Sequence, residues 1–153
     1  MRGRFCIVAV ALLGLAASSA LAGEAPGRAI PDGKTSRGGY FSFFFNTQTL
    51  KVEGLAVDWG CRSVDNGKPT FSILTHKGIG SMPATGRVSL TVSLPYTKLG
   101  GEGKALGNAR VTVTGAFRWG SKSPTKRAIG SGTVVVTSAH CTTGTLTYSV
   151  REH

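Results

Sequence analysis

From Ala109 to Trp119 the chain reads ARVTVTGAFRW, with Val111, Val113, Gly115, Phe117 and Trp119 in one phase and Arg110, Thr112, Thr114, Ala116 and Arg118 in the other. Such alternation places one set on each face of an extended strand, because successive side chains point to opposite sides. The same period recurs at Leu55, Val57, Trp59 and Cys61. It returns in RVSLTVSL (87–94), where Val88, Leu90, Val92 and Leu94 alternate with Arg, Ser and Thr. Period two with β-branched and aromatic side chains predicts strands that each bury one face.

Turn residues divide these segments at intervals suited to antiparallel pairing. Asn66-Gly67 separates the Trp59–Val64 segment from TFSILT (70–75), and Asn-Gly is a strong hairpin signal because both residues tolerate positive φ. Gly-rich connections follow at 76–86 and 96–107, and GSKSPTKR (120–127) and TSAHCTTG (137–144) lead into the last two strands. No stretch after residue 22 has a helical period. The expected fold is all-β, a single antiparallel β-sandwich or flattened barrel of about eight strands.

GGYFSFFFNTQTLKV (38–52) crowds five aromatic residues into six positions. On a strand, Phe41, Phe43 and Phe45 share one face, which is the predicted core face, together with Leu55, Val57, Leu90, Val92, Val113 and Phe117. Tyr40 and Phe44 fall on the other face. Large exposed apolar patches are costly, so these two are expected under a neighbouring loop; the alternative is an exposed aromatic pair for stacking on a sugar or a partner.

The first 22 residues have Arg2 and Arg4, an apolar run from Phe5 to about Ala17 and a small-residue end at Ala20-Leu21-Ala22. That is the plan of a secretory signal peptide cleaved after about Ala22, which predicts a secreted or periplasmic protein without a membrane span in its mature form. Residues 23–37 read as a loose lead-in and 38–153 as a single β domain. Cys6 leaves with the signal. Cys61 and Cys141 remain, and two thiols in an oxidising compartment pair by default. Losing Arg2 and Arg4 leaves 16 basic against 7 acidic residues on 131 residues, a net charge of +9.

Taken together, a Gly and Ser/Thr cluster at Gly33–Ser36, the F-x-F strand at Phe43-Phe44-Phe45, Gly115-Ala116-Phe117, Ala128-Ile129-Gly130 and Cys141-Thr142-Thr143-Gly144 before Tyr148 form a pattern. It resembles small secreted bacterial β-sandwich-like domains of uncharacterised function. The match spans most of residues 33–150. It implies the fold and a Cys61–Cys141 bridge, and it supplies no catalytic residues; Tyr148 stands where the pattern favours Trp.

Signatures of catalysis are sparse. No G-x-S-x-G elbow occurs, and the Gly101-Glu102-Gly103 run has neither P-loop nor dinucleotide spacing. His140 beside Cys141 lacks the spaced partners of a closed metal site, so no metal or cofactor is expected. Seven acidic residues are a thin supply for a carboxylate pair. A small extracytoplasmic hydrolase would have to use His76 or His140 with Asp58 or Asp65.

The basic excess is the functional signal above background. Lys98, Lys104, Lys122, Lys126 and Arg127 lie on or beside long loops, where positive charge attracts anionic partners such as envelope polymers. Sequence-specific nucleic-acid binding is not indicated, as no motif for it is present. The expected function is a non-enzymatic structural or weak binding module at the cell envelope, with an anionic polymer or an extracytoplasmic protein as partner. The alternatives are the hydrolase and a loop-presenting interaction or inhibitor domain.

Overall fold

The alternating segments become strands up to Trp59 in the first along the chain and Arg118 in the last, and Trp119 lies outside the described residues. The computed structural model describes residues 28–83, 85–101, 103–118 and 128–152. In chain order its strands are β1 (Arg28–Ala29), β2 (Asp32–Thr35), β3 (Tyr40–Asn46), β4 (Lys51–Trp59), β5 (Phe71–Thr75), β6 (Gly80–Ser81), β7 (Arg87–Lys98), β8 (Gly107–Arg118), β9 (Ile129–Thr137) and β10 (Leu146–Arg151), with one helical turn, α1 (Arg62–Asp65), between β4 and β5.

Pairing is antiparallel throughout and follows a meander. β2, β3, β4, β5, β7, β8, β9 and β10 each pair with the next, and β10 returns to β2 through Tyr148↔Thr35 and Val150↔Gly33. The sheet is therefore a closed barrel of eight strands, and the sandwich alternative does not form. β1 and β6 are two short extra strands that continue the edges of β2 and β5 along β3 and β4. The β10–β2 ladder pairs the two edges that an open sheet would expose there.

The segment that closes the barrel is part of the expected lead-in. Residues 28–35 form β1 and β2, kinked at Pro31, whose carbonyl accepts from the Phe43 N–H at 3.3 Å and the Ser42 hydroxyl at 3.1 Å. Gly33 is required there, because a Cβ would run into the backbone carbonyl of Ser149 on β10. A second departure follows Trp59. The strand expected from the period at Leu55 to Cys61 and the segment on to Val64 stops at Trp59, and α1 occupies 62–65. Asn66, at φ 56°, caps that helical turn in the left-handed region, so the Asn-Gly pair ends a helix and does not form a two-residue hairpin.

The interior is filled by side chains. Phe41, Phe43 and Phe45 point inward and are buried, together with Leu55, Val57, Val113 and Phe117. A register shift between Phe44 and Phe45 leaves Glu53 as the extra residue on β4, which turns Val52 inward along with Leu55. Phe117 and Tyr148 lie across the inward glycines of β9. A Cβ on Gly130 would strike the Phe117 ring, and one on Gly132 would meet the Thr114 carbonyl and the Tyr148 hydroxyl. The ring of Tyr148 stacks on Phe41 at 4.1 Å. Aromatic bulk from three strands thus uses space that glycine leaves on a fourth.

One end of the barrel is stapled. Cys61 and Cys141 form the disulfide, with Cα atoms 6.1 Å apart and a sequence separation of 80. Beneath it Trp59, Phe71 and Tyr96 meet at ring separations of 4.8 to 5.7 Å, and His140 stacks on Phe71 at 5.9 Å. On the other side of β7 from β8, β5 and β7 pair only at Phe71↔Lys98 and Ser72↔Thr97. Below that point they diverge, and Leu90 and Val92, though in the inward phase, are only half-buried.

Candidate functional site

A barrel of eight strands has an interior just wide enough for side chains or one small ligand. Here side chains occupy it, so a binding site has to lie on the outside or at the ends.

Both candidate histidines are accounted for by packing. The His140 ring lies flat on Phe71 and edge-on to Tyr96, and its backbone N–H bonds to the Ser138 hydroxyl at 3.2 Å. The His76 ring packs on Phe44 at 5.0 Å and lines a pocket of about 200 Å³ with Arg28, Ile30 and Glu53. Glu53 in that pocket is ion-paired to Arg28 at 3.1 Å and accepts from Asn46 at 3.5 Å. Among the described residues no hydrogen bond joins either imidazole to a carboxylate or a hydroxyl, and no group of three His, Cys, Asp or Glu side chains gathers to hold a metal. Asp58 is half-buried on β4 opposite Ser72, and Asp65 accepts from the Gly67 N–H at 3.0 Å.

The outward aromatics divide. Phe44 is half-buried over Gly54 and against His76, which is the covered arrangement. Tyr40 is 39% exposed and bonds to Asp32 at 3.4 Å. They do not form a shared stacking surface, because Phe44 is already in contact with an imidazole.

The predicted basic residues also divide. Lys98 and Lys104 are exposed at the end of β7 and in the connection to β8. Lys122, Lys126 and Arg127 lie outside the described residues. Their flanking residues, Arg118 and Ala128, are at the far end of β8 from Gly107, about 37 Å away along a strand rising about 3.4 Å per residue.

Between those ends the barrel wall carries a basic surface that the loops had hidden. β7, β8, β9 and β10 hold Arg87, Lys98, Arg110, Arg118 and Arg151 and no acidic residue. Cross-strand register arranges their outward side chains in rows. Arg87, Ala116, Ser131, Ser149 and Lys34 lie side by side over five strands. In the next row Arg118, Ile129 and Arg151 are neighbours, ending at Asp32 on β2. Arg118 and Arg151, both exposed, are two strand spacings apart, about 10 Å. They flank a shallow depression of about 380 Å³ that includes Ser131 and Ser149. Toward the other end the surface is threonine, with hydroxyl pairs Thr91–Thr112 at 3.0 Å and Thr114–Thr133 at 2.8 Å. Apolar-in and polar-out on β7 and β8 is the reverse of the pattern on a lipid-embedded barrel.

A sequence signal for this face existed. Between Asn66 and Arg151 the only acidic residue is Glu102, whereas eleven basic residues fall in the same stretch. That stretch forms β5 to β10, so the charge asymmetry along the chain becomes an asymmetry around the barrel. No family model, no curated protein and no solved structure matches this chain.

Proposed function

We propose that the protein is a secreted, non-catalytic β-barrel of the cell envelope that binds anionic polymers through the outward face of β7 to β10. The observation that carries this reading is the charge of those four strands, five basic residues and no acid, with Arg87, Arg118 and Arg151 in adjacent outward rows beside Ser131 and Ser149. Arginines whose backbones lie about 10 Å apart suit a chain bearing sulfate, phosphate or carboxylate at intervals, and the hydroxyls between them supply neutral donors for sugar oxygens. Within the wall β8 and β9 have ladders on both sides, so the backbone that carries Arg110 and Arg118 is held before a ligand arrives. Lys122, Lys126 and Arg127, outside the described residues, follow Arg118 in the chain; Lys98 and Lys104 carry charge toward the Gly107 end of β8.

Binding of this kind is screened over about 8 Å at physiological ionic strength, so it is strongest at low salt. The test uses immobilised heparin and lipopolysaccharide as probes. Reversing Arg87, Arg118 and Arg151 to Glu is expected to lower the salt concentration needed for elution well below that of a control with Lys51, Arg62 and Lys68 reversed. Equal losses in the two triple variants would reduce the effect to bulk charge, and retention by neither probe at low salt would overturn the proposal.

A further inference from the structure

The divergence of β5 and β7 leaves a strand edge of the barrel uncovered. In an antiparallel ladder the backbone groups of alternate residues point to opposite neighbours. The Phe117 N–H bonds to the Gly86 carbonyl and the Leu99 N–H to the Thr70 carbonyl, both at 2.8 Å. These two bonds fix the phase of β7: even-numbered residues turn their backbone groups to β8, and odd-numbered ones turn them to β5. Thr97 is used opposite Ser72. Pro95, the next odd residue, has no N–H to offer, and the ladder with β5 ends there. Ser89, Thr91 and Ser93 therefore aim N–H and C=O groups at the seam, and among the described residues none of β5 or β6 pairs with them.

A groove of about 800 Å³ runs beside this edge, lined by Leu74, Lys77, Ile79, Val92 and Leu94. Leu74 is 62% exposed, an unusual fate for a leucine on a barrel strand. The groove is thus apolar within, and its backbone edge is polar and unsatisfied. Its charge is one-sided: Lys77 lines it, Arg110 stands opposite Ser93, Arg87 begins the edge, and Glu102 is the only acid between Asn66 and Arg118.

The geometry points to this seam as a docking site for an extended peptide strand in which apolar and acidic side chains alternate. Such a strand completes the ladder on β7 from Arg87 to Ser93, about seven residues, before Pro95 stops it. Its apolar side chains turn inward onto Leu90 and Val92, which are half-buried, and beside Leu94. Its acidic side chains turn outward beside Lys77, Arg87 and Arg110. This is strand addition, in which main-chain hydrogen bonds give affinity and alternate side chains give specificity. It does not depend on polymer binding by the Arg118–Arg151 face.

The test is amide hydrogen exchange followed by NMR on the mature protein, with the capped peptide Glu-Val-Glu-Val-Glu-Val-Glu as probe. The peptide is expected to slow exchange at Ser89, Thr91 and Ser93 at least about tenfold while leaving Val88, Leu90 and Val92, already bonded to β8, unchanged. A peptide with Lys in place of Glu is expected to leave the three amides unprotected, and one N-methylated at the edge that meets β7 is expected to lose binding. Lys77→Glu, a surface change, should weaken the Glu peptide by up to about fivefold. The inference is overturned if millimolar Glu peptide protects none of the three amides, or if the Lys or N-methylated peptide protects them equally. Protection without peptide that rises with protein concentration would overturn it too, because the edge would then be filled by a second copy of the chain.

Discussion

The wall of β8 and the seam between β5 and β7 belong to one barrel and differ in almost every physical respect. β8 pairs with β7 over ten residues and with β9 over nine. β5 meets β7 over two. On the wall, inward Val111, Val113, Val134 and Val136 are fully buried; on the seam, Leu90 and Val92 are half-buried despite the same inward phase. The difference shows that alternation decides which way a side chain points, while ladder continuity decides whether that direction is covered. Proline at 95 is a local cause, since it removes the one N–H that would carry the β5 ladder further down β7.

The seam is closed only at the disulfide end, where Cys61–Cys141 and the Phe71–His140 stack tie the start of β5 to the β9–β10 connection. Replacing both cysteines with alanine is expected to cost up to about 4 to 5 kcal/mol on the chain-entropy model for a loop of 80 residues. Denaturant titration measures the loss. If the comparison is right, exchange at Ser72 and Thr97 should accelerate in that variant before exchange at Val113 or Val134. A uniform acceleration would mean that the bridge stabilises the barrel as a whole and that the seam has no separate weakness.

Side-chain truncation sharpens the same contrast. Phe43 is buried between Phe41 at 5.5 Å and Phe117 at 5.2 Å, and Phe43→Ala is expected to cost about 3 to 5 kcal/mol. Leu90→Ala removes a half-buried side chain that faces the seam, and about 1 to 2 kcal/mol is expected. Thermal melts of both variants check the order. Equal losses would show that the seam is as well packed as the aromatic centre.

How much of this was legible follows from where the forces lie. The inward phase of Phe41, Phe43, Phe45, Val113 and Phe117 can be read from period two alone, because burial of one face is what the period encodes. Barrel closure was not legible, because β2 reads Asp-Gly-Lys-Thr and pairs with β10 through backbone bonds and a glycine contact that leave no apolar period. The helical turn at 62–65 escaped for a similar reason: Asn66 in the left-handed region serves a helix end as well as a hairpin. Arg87, Arg110 and Arg118 were in plain view as the outward phase of predicted strands, and Arg151 follows the last predicted strand, but only the register places Arg87 and Arg151 on one surface with Arg118.

Two tyrosines give the finest form of the comparison. Tyr148, against the wall, donates its hydroxyl hydrogen to the Thr114 carbonyl at 3.3 Å, whereas Tyr96, on β7 beside the closed end of the seam, has a buried hydroxyl with no hydrogen-bond partner among the described residues. Tyr148→Phe at neutral pH is expected to cost about 1 kcal/mol, and Tyr96→Phe to cost nothing or to stabilise by up to about 1 kcal/mol, since it removes an unsatisfied group. Burial also pushes the Tyr148 phenol well above its ordinary value near 10. The folded protein then keeps that proton after the unfolded chain has released it. The contribution to stability is whole below about pH 10 and is lost as pH climbs toward the folded value, at up to about 1.4 kcal/mol per pH unit. Denaturant titrations of the wild-type protein and of Tyr148→Phe between pH 9 and 11 should therefore converge, the variant losing less stability over that range because its phenylalanine has no proton to lose. Parallel curves would show that the hydroxyl of Tyr148 reaches solvent, and the wall would then be no tighter than the seam.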